Sequence, residues 1–481
     1  MIQVNAKVHD KFSVEFKIGF RGTQDAATND FAVNTWIFIP NSLNINNATY
    51  SKELFYRDVK SNIRLITPVF TLIELADKDS QPFTNLREAL DKYLREPSNF
   101  SLREFEFHVK MFASICKSAL RDAVRHIADI HDIPKKQEAL TVFCDCIRAI
   151  TSEYRKLADR FDDTSSAARN IFRNGDEFIS HIVNIQTVKL YLSTDPKHYK
   201  AEEQQLNSLL KTESDYKIAN GYSHAERSLD SNNQLVYRHS LLKKYVESVL
   251  YLKVNTSPDG SAVKQVTFGF AAGIAMIIST LIALPFQRYL GSSPFIIFIV
   301  LVIAYMFKDR IKEIVRNQFA YKLKKKYFDM KSLLDFRGQH IGWIKEGVDF
   351  INDAKTPEEV LRLRNRSPLE ADNHLFEERT LLYRKHVHID TDALRDQKEY
   401  PLTGINDIMR FHIQHYTLKM DDPNVNIDVI DPDGTIRFTD AYRIYPLYII
   451  MRFDFETNTE YHAFRITANR NGIFQCEDIG Q

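Results

Sequence analysis

Cysteine is scarce in this chain. Cys116, Cys144, Cys146 and Cys476 are the four among 481 residues, too few and too scattered for a disulfide framework, which suits a reducing compartment. Cys144 and Cys146 diverge around the helix expected there, so they make no metal clip. Charge of one sign is also lacking: 64 Lys and Arg oppose 63 Asp and Glu, for a formal charge of +1. No protein-wide basic field exists, and nucleic acid is not an expected partner. The opening residues, MIQVNAKVHDKFSVEF, have neither the apolar run nor the small-residue cleavage site of a secretory signal, so they are expected in the cytosol. No P-loop, dinucleotide fingerprint, GxSxG elbow or kinase set is present, and no cofactor is assigned. The 44% hydrophobic and 26% charged composition excludes general disorder and can fill two or three cores.

What the chain does have is two long uncharged runs. Gln265 to Gln287 is 23 residues without a charge, and Tyr289 to Phe307 is another 19, separated by Arg288. A bilayer core of about 30 Å takes roughly 20 apolar helical residues. The expectation is therefore an α+β membrane protein in which a two-helix transmembrane hairpin (265–287 and 289–307) is inserted between two larger parts. Eight basic residues between Lys308 and Lys326 oppose only Asp309 and Glu313, so the positive-inside tendency places this flank in the cytoplasm. Localisation follows as multi-pass in the cytoplasmic membrane, with both termini cytosolic. Lys322, Lys324, Lys325 and Lys326 are expected to meet anionic headgroups of the lipid bilayer, at about 1 kcal/mol each.

Neither run contains Asp, Glu, Lys, Arg or His, which argues for anchoring or self-association over transport. Gly269 and Gly273 form a GxxxG, and Ala271, Ala275, Ser279 and Ala283 make a second ladder of small residues. Such ladders let helices approach closely, so one face is expected to receive the second span, with Ile296, Ile299, Val300 and Ile303, and the other a second copy in a homo-oligomer.

Around the runs the pattern suggests a β-rich region (1–95), a helical bundle (96–256), a basic helical stalk (308–336) and a C-terminal α+β region with an antiparallel meander (337–481). Phe12, Val14, Phe16, Ile18 and Phe20 alternate with polar residues, the period of a strand, and FAVNTWIFIP is its expected hairpin partner. Phe105, Val109, Phe112, Cys116, Ala119 and Ala123, then Leu140, Phe143, Ile147, Ile150, Tyr154, Leu157 and Phe161, step by three and four. That spacing predicts an antiparallel helical hairpin of coiled-coil character. NTSPDGS (255–261) is expected as a hinge. The strands near both ends are compatible with one shared sheet.

HVHID is the sharpest chemical feature. On a strand His386, His388 and Asp390 point one way, and two imidazoles with a carboxylate can hold zinc; on a helix His388 points away from the others. The segment resembles the start of the metallo-β-lactamase pattern HxHxDH, with Thr391 where that family has His. DPDGT (431–435) is read as a hairpin turn. Two functions are carried forward. One is a non-catalytic oligomeric scaffold, sensor or membrane-acting effector, whose partners are the bilayer and a cytosolic protein or small-molecule ligand. The other is a membrane-tethered metal-dependent hydrolase using HVHID.

Overall fold

The computed structural model describes residues 2–23, 26–161, 166–195, 197–226, 228–289, 294–366 and 378–480, apart from the side chains of 282–283, 285–289, 294, 296–297, 300–301 and 320–326. The chain forms two compact units, one from residues 1–62, 253–390 and 407–481, the other from 63–252 and 391–406.

The strands are β1 (Ile2–Asp10), β2 (Ser13–Arg21), β3 (Thr28–Pro40), β4 (Val59–Leu65), β5 (Lys253–Pro258), β6 (Met330–Phe336), β7 (Gln339–Ile351), β8 (Glu378–Asp390), β9 (Gly404–His412), β10 (Asn424–Ile430), β11 (Ile436–Tyr442), β12 (Tyr445–Phe455), β13 (Asn458–Asn469) and β14 (Gly472–Asp478). Eight of them form one sheet in the order β14-β13-β12-β3-β8-β7-β6-β5, four form β1-β2-β9-β4, and β10 and β11 pair separately. The two ends of the chain share the large sheet, since β3 lies between β12 and β8. The expected β2–β3 hairpin does not form. Four consecutive residues of β3, Trp36 to Ile39, are buried, and a run covered on both faces belongs inside a sheet, with a neighbour on each side. Aromatic rings join the sheets: Phe16 meets Phe464 at 5.4 Å, and Phe20 meets Phe31 at 5.3 Å.

A charged cluster centred on Lys385 is buried in this unit. Lys385, on the inward face of β8, lies opposite Glu346 of β7; its ammonium is 3.1 Å from Glu346 and bonds to Asp407 of β9. Tyr383 donates to Glu346 and Ser61 to Asp407. Burial opposes ionisation of Glu346, but the Lys385 charge outweighs it and holds that carboxyl below its ordinary range.

The expected two-helix transmembrane hairpin is not supported, and the fold class is corrected to a mixed α/β chain. Helices α9 (Ser261–Tyr289) and α10 (Pro294–Lys326) pack together within the first unit. Among the described residues one helical segment, Ser261–Leu281, is long and apolar enough to cross a membrane by length and composition, and it is largely unburied. The two helices leave and rejoin the sheet through β5 and β6, which pair antiparallel; the expected hinge at 255–261 is thus mostly strand.

Ala271 and Ala275 of α9 are buried, as is Ala304 of α10, and Ser279 Oγ donates to the Ala304 carbonyl at 3.0 Å. Gly269 and Gly273 face open space. Ile299 and Ile303 are exposed, so small residues meet small residues where bulky ones were expected. The side chains of Ile296, Val300, Ala283, Lys322, Lys324, Lys325 and Lys326 lie outside the described residues.

The second unit is helical: α3 (Gln81–Arg95), α4 (Asn99–Asp129), α5 (Ile133–Arg155), α6 (Ser166–Leu192), α7 (Lys200–Ala219) and α8 (Leu229–Glu247). Ser98 and Ser101 form a capping box at the start of α4, and Asp132 caps α5. The expected stripes are buried, apart from the half-buried Ala123 and Phe161. They line a multi-helix core in which α4 packs chiefly on α6 and α3, and a coiled coil is not supported. Tyr154 stacks between Phe112 and Phe172. Gly175 permits this approach, because a Cβ there would run into the Tyr154 hydroxyl.

Candidate functional site

A cluster of buried ionisable groups lies where α5, α6 and α7 meet. The buried face of α7 begins with Leu206 and Leu209 and continues, at the same helical spacing, with Glu213 and Lys217. Glu213 is 1% exposed and Lys217 6%, so two charges occupy core positions. Buried charges need partners. Glu213 has them: Arg155 donates to both of its oxygens at 2.9 and 2.8 Å, and Ser180 Oγ donates at 2.7 Å. Asp176 accepts from Arg155 Nε at 3.3 Å, Tyr216 at 2.7 Å and Tyr222 at 2.9 Å. Burial still pushes the Asp176 carboxyl up.

The end of α7 is shaped to return Tyr222 to this cluster. Tyr222 N–H bonds to the Lys217 carbonyl and Gly221 N–H to that of Ile218, with Gly221 at φ +65°. This is the Schellman stop, whose left-handed residue favours glycine.

Lys217 differs from its neighbours. Among the described residues its ammonium has no hydrogen-bond or ion-pair partner, although Glu213 and Glu177 offset its charge from a distance. Burial pulls its pKa down to about 8 from 10.5. It lies on a cleft of about 630 Å³ between α6, α7 and α8, within the size range of small-molecule sites. His181 and His239 stack beside it, ring centroids 3.3 Å apart. Burial, the neighbouring His239 and Lys217 push His181 down to about 3, and burial together with Lys217 lowers His239. Both imidazoles are therefore neutral near pH 7, each offering one donor and one acceptor. Ile185, Val188, Leu192 and Leu235 supply an apolar wall, Lys189 adds a second cation, and no carboxylate is among the lining residues. A cleft with this lining can hold a negative group against Lys217 and an apolar body against the wall.

His181 also carries a pH signature. Its folded pKa lies below the unfolded value of 6.5, so the stability it contributes is complete above pH 6.5 and is lost as pH falls from there toward 3. The slope is at most about 1.4 kcal/mol per pH unit for one proton. Thermal unfolding between pH 7 and 4 is expected to show this loss, and a His181→Gln variant to show a flatter profile.

HVHID lies on β8, with His386, His388 and Asp390 on its partly exposed face. The carboxylate that meets the histidines is Asp30, opposite His388 on β3. Its Oδ1 is 2.9 Å from His388 Nδ1 and 3.3 Å from His386 Nε2, while Asp390 lies opposite Thr28. Trp343 stacks on His388 with centroids 5.1 Å apart. Burial lowers the His386 pKa, with Asp30 opposing. The DPDGT segment turns β10 into β11, with Gly434 at φ +82°.

Sequence reading passed over Lys217 and Asp30. The available signal for Lys217 was the continuation of the Leu206 and Leu209 stripe into two charged residues; Asp30 carries none, being brought in by pairing across more than 350 positions. In comparisons with known proteins, no family, no curated protein and no solved structure matches the chain.

Proposed function

We propose that this protein is a non-catalytic ligand sensor whose helical unit binds an anionic small molecule with an apolar body, and that the segment Ser261–Leu281 holds it at a membrane. The observation that carries the reading is Lys217: a lysine 6% exposed as a residue, its ammonium without a partner among the described residues, on a cleft lined by no carboxylate. A cation in that position costs stability in the empty protein, and a bound anion removes the cost. The membrane part is supported by the apolar exposure of α9, where Phe270 and Leu281 are 67% and 64% exposed, surface that hydrocarbon would cover.

The test of binding uses the full chain and calorimetric titration with decanoate, phenyl phosphate and decanol. Saturable binding of either anion, with decanol at least tenfold weaker, is the expected result, since a charge-assisted hydrogen bond contributes about 1.5–3 kcal/mol. Equal binding of decanol and decanoate would remove the proposal. For the membrane part, the full chain is expected to float with phosphatidylcholine vesicles and Phe270→Glu/Ile277→Glu to remain in the dense fraction. A wild-type chain that stays with the dense fraction contradicts it.

A further inference from the structure

A second group of side chains, apart from the cleft, has the composition of a metal site. Glu104 and His108 are one turn apart on α4 and so share a face. Glu399 comes from the 391–406 segment of the same unit. One ligand atom from each lies within 4.8 Å of the others. Two donors bound to one ion at 2.0–2.2 Å are at most about 4.4 Å apart, so small side-chain adjustments would close the set.

The surroundings hold these groups in place. His108 is 6% exposed, and its Nδ1 is 2.9 Å from the hydroxyl of Tyr400, itself buried. An imidazole held at one nitrogen by an oxygen partner is oriented to coordinate through the other, an arrangement common among metal-ligating histidines. The backbone beside Glu399 is fixed from α3: Asn85 donates to the Glu399 carbonyl at 2.6 Å and Gln81 to that of Lys398 at 3.3 Å. Phe107 packs edge-on against Tyr400. Both halves of the site are thus built before any ion arrives.

We infer that Glu104, His108 and Glu399 bind a first-row divalent cation, with His108 Nε2 and one oxygen of each carboxylate as ligands. One imidazole with two carboxylates suits Zn²⁺ or Mn²⁺; a ligand set without nitrogen would suit Mg²⁺ or Ca²⁺ better. Tyr400 is the positioning residue.

The experiment strips the purified full chain with chelator, reloads it with Zn²⁺ or Mn²⁺ alone, removes excess by gel filtration and counts bound metal. About one equivalent is expected in the wild type for at least one of the two ions. Glu104→Gln and His108→Asn should each lose it, and Tyr400→Phe should weaken affinity about 10–100-fold. Because His108 is buried, His108→Asn is read only where circular dichroism matches the wild type; Glu104→Gln, at a partly exposed position, carries the test independently. His386→Asn/His388→Asn separates the two histidine sites and is expected to keep the metal. The inference is overturned by a wild-type chain that retains less than about a tenth of an equivalent of either ion. An equivalent that survives Glu104→Gln but disappears with His386 and His388 overturns it too, placing the metal on β8.

Discussion

Lys385→Met is expected to be the most destabilising single change in the first unit, costing about 3–5 kcal/mol, the range for removing one partner of a buried ion pair. The Lys385 side chain is 2% exposed and that of Asp407 is 0% exposed, and Lys385 serves both Asp407 and Glu346. Methionine fills a similar volume and leaves two carboxylates with no cation, assisted only by Ser61 and Tyr383. Adding Glu346→Gln and Asp407→Asn to Lys385→Met removes the orphaned charges, so the triple variant should recover most of the loss. Chemical denaturation of wild type, single and triple variants checks this. A single variant as stable as wild type would mean that water reaches the cluster. The pH dependence has a defined sign in the wild type: the Glu346 pKa is depressed, so its contribution is present above the unfolded value near 4.5 and is lost as pH falls through the folded one.

Lys217→Met is expected to act in the opposite direction on stability while weakening anion binding. The native pKa of about 8 lies below the 10.5 of the unfolded chain, so between those values the unfolded state binds more protons and stability rises with pH. Below about pH 8 the folded protein must hold the charge at full cost. Methionine removes that cost, for a gain on the order of 2 kcal/mol at pH 7, and it also flattens the rise between pH 8 and 10.5. Anion affinity should fall about 10–100-fold, matching the loss of one charge-assisted hydrogen bond. A variant both more stable and about 10–100-fold weaker in binding is the signature of a charge kept for a ligand.

Periodicity made much of the secondary structure legible, and charge counting made little of the assembly legible. The three-and-four spacing of Phe105 to Ala119 and of Leu140 to Tyr154 marks helices whose stripes are core. The alternation in HVHID likewise marks a strand with three side chains on one face. The transmembrane hairpin failed because a run without charge does not by itself specify a spanning helix: among the described residues one helical segment, Ser261–Leu281, is long and apolar enough. Strand partners were hidden because hydrophobic alternation says which face is buried and nothing about which strand lies alongside. For the same reason Asp30 beside His388, and Glu399 beside His108, could not be read from a linear pattern. Lys217 was hidden for a different reason. In TESDYKIANGY it resembles a solvated helical charge, and only its place in the stripe after Leu206 and Leu209 marks it as buried.

The binding claim is tested most directly by titrating decanoate into the full chain at pH 8 in Tris and in triethanolamine, cationic buffers that differ in ionisation enthalpy. With the Lys217 pKa near 8, about half of the empty clefts carry the proton at that pH, and an anion held by the ammonium must draw it in. The account predicts an uptake of about half a proton per decanoate bound in the wild type, and none in Lys217→Met. Binding with the same enthalpy in both buffers, or with undiminished affinity in Lys217→Met, would contradict it.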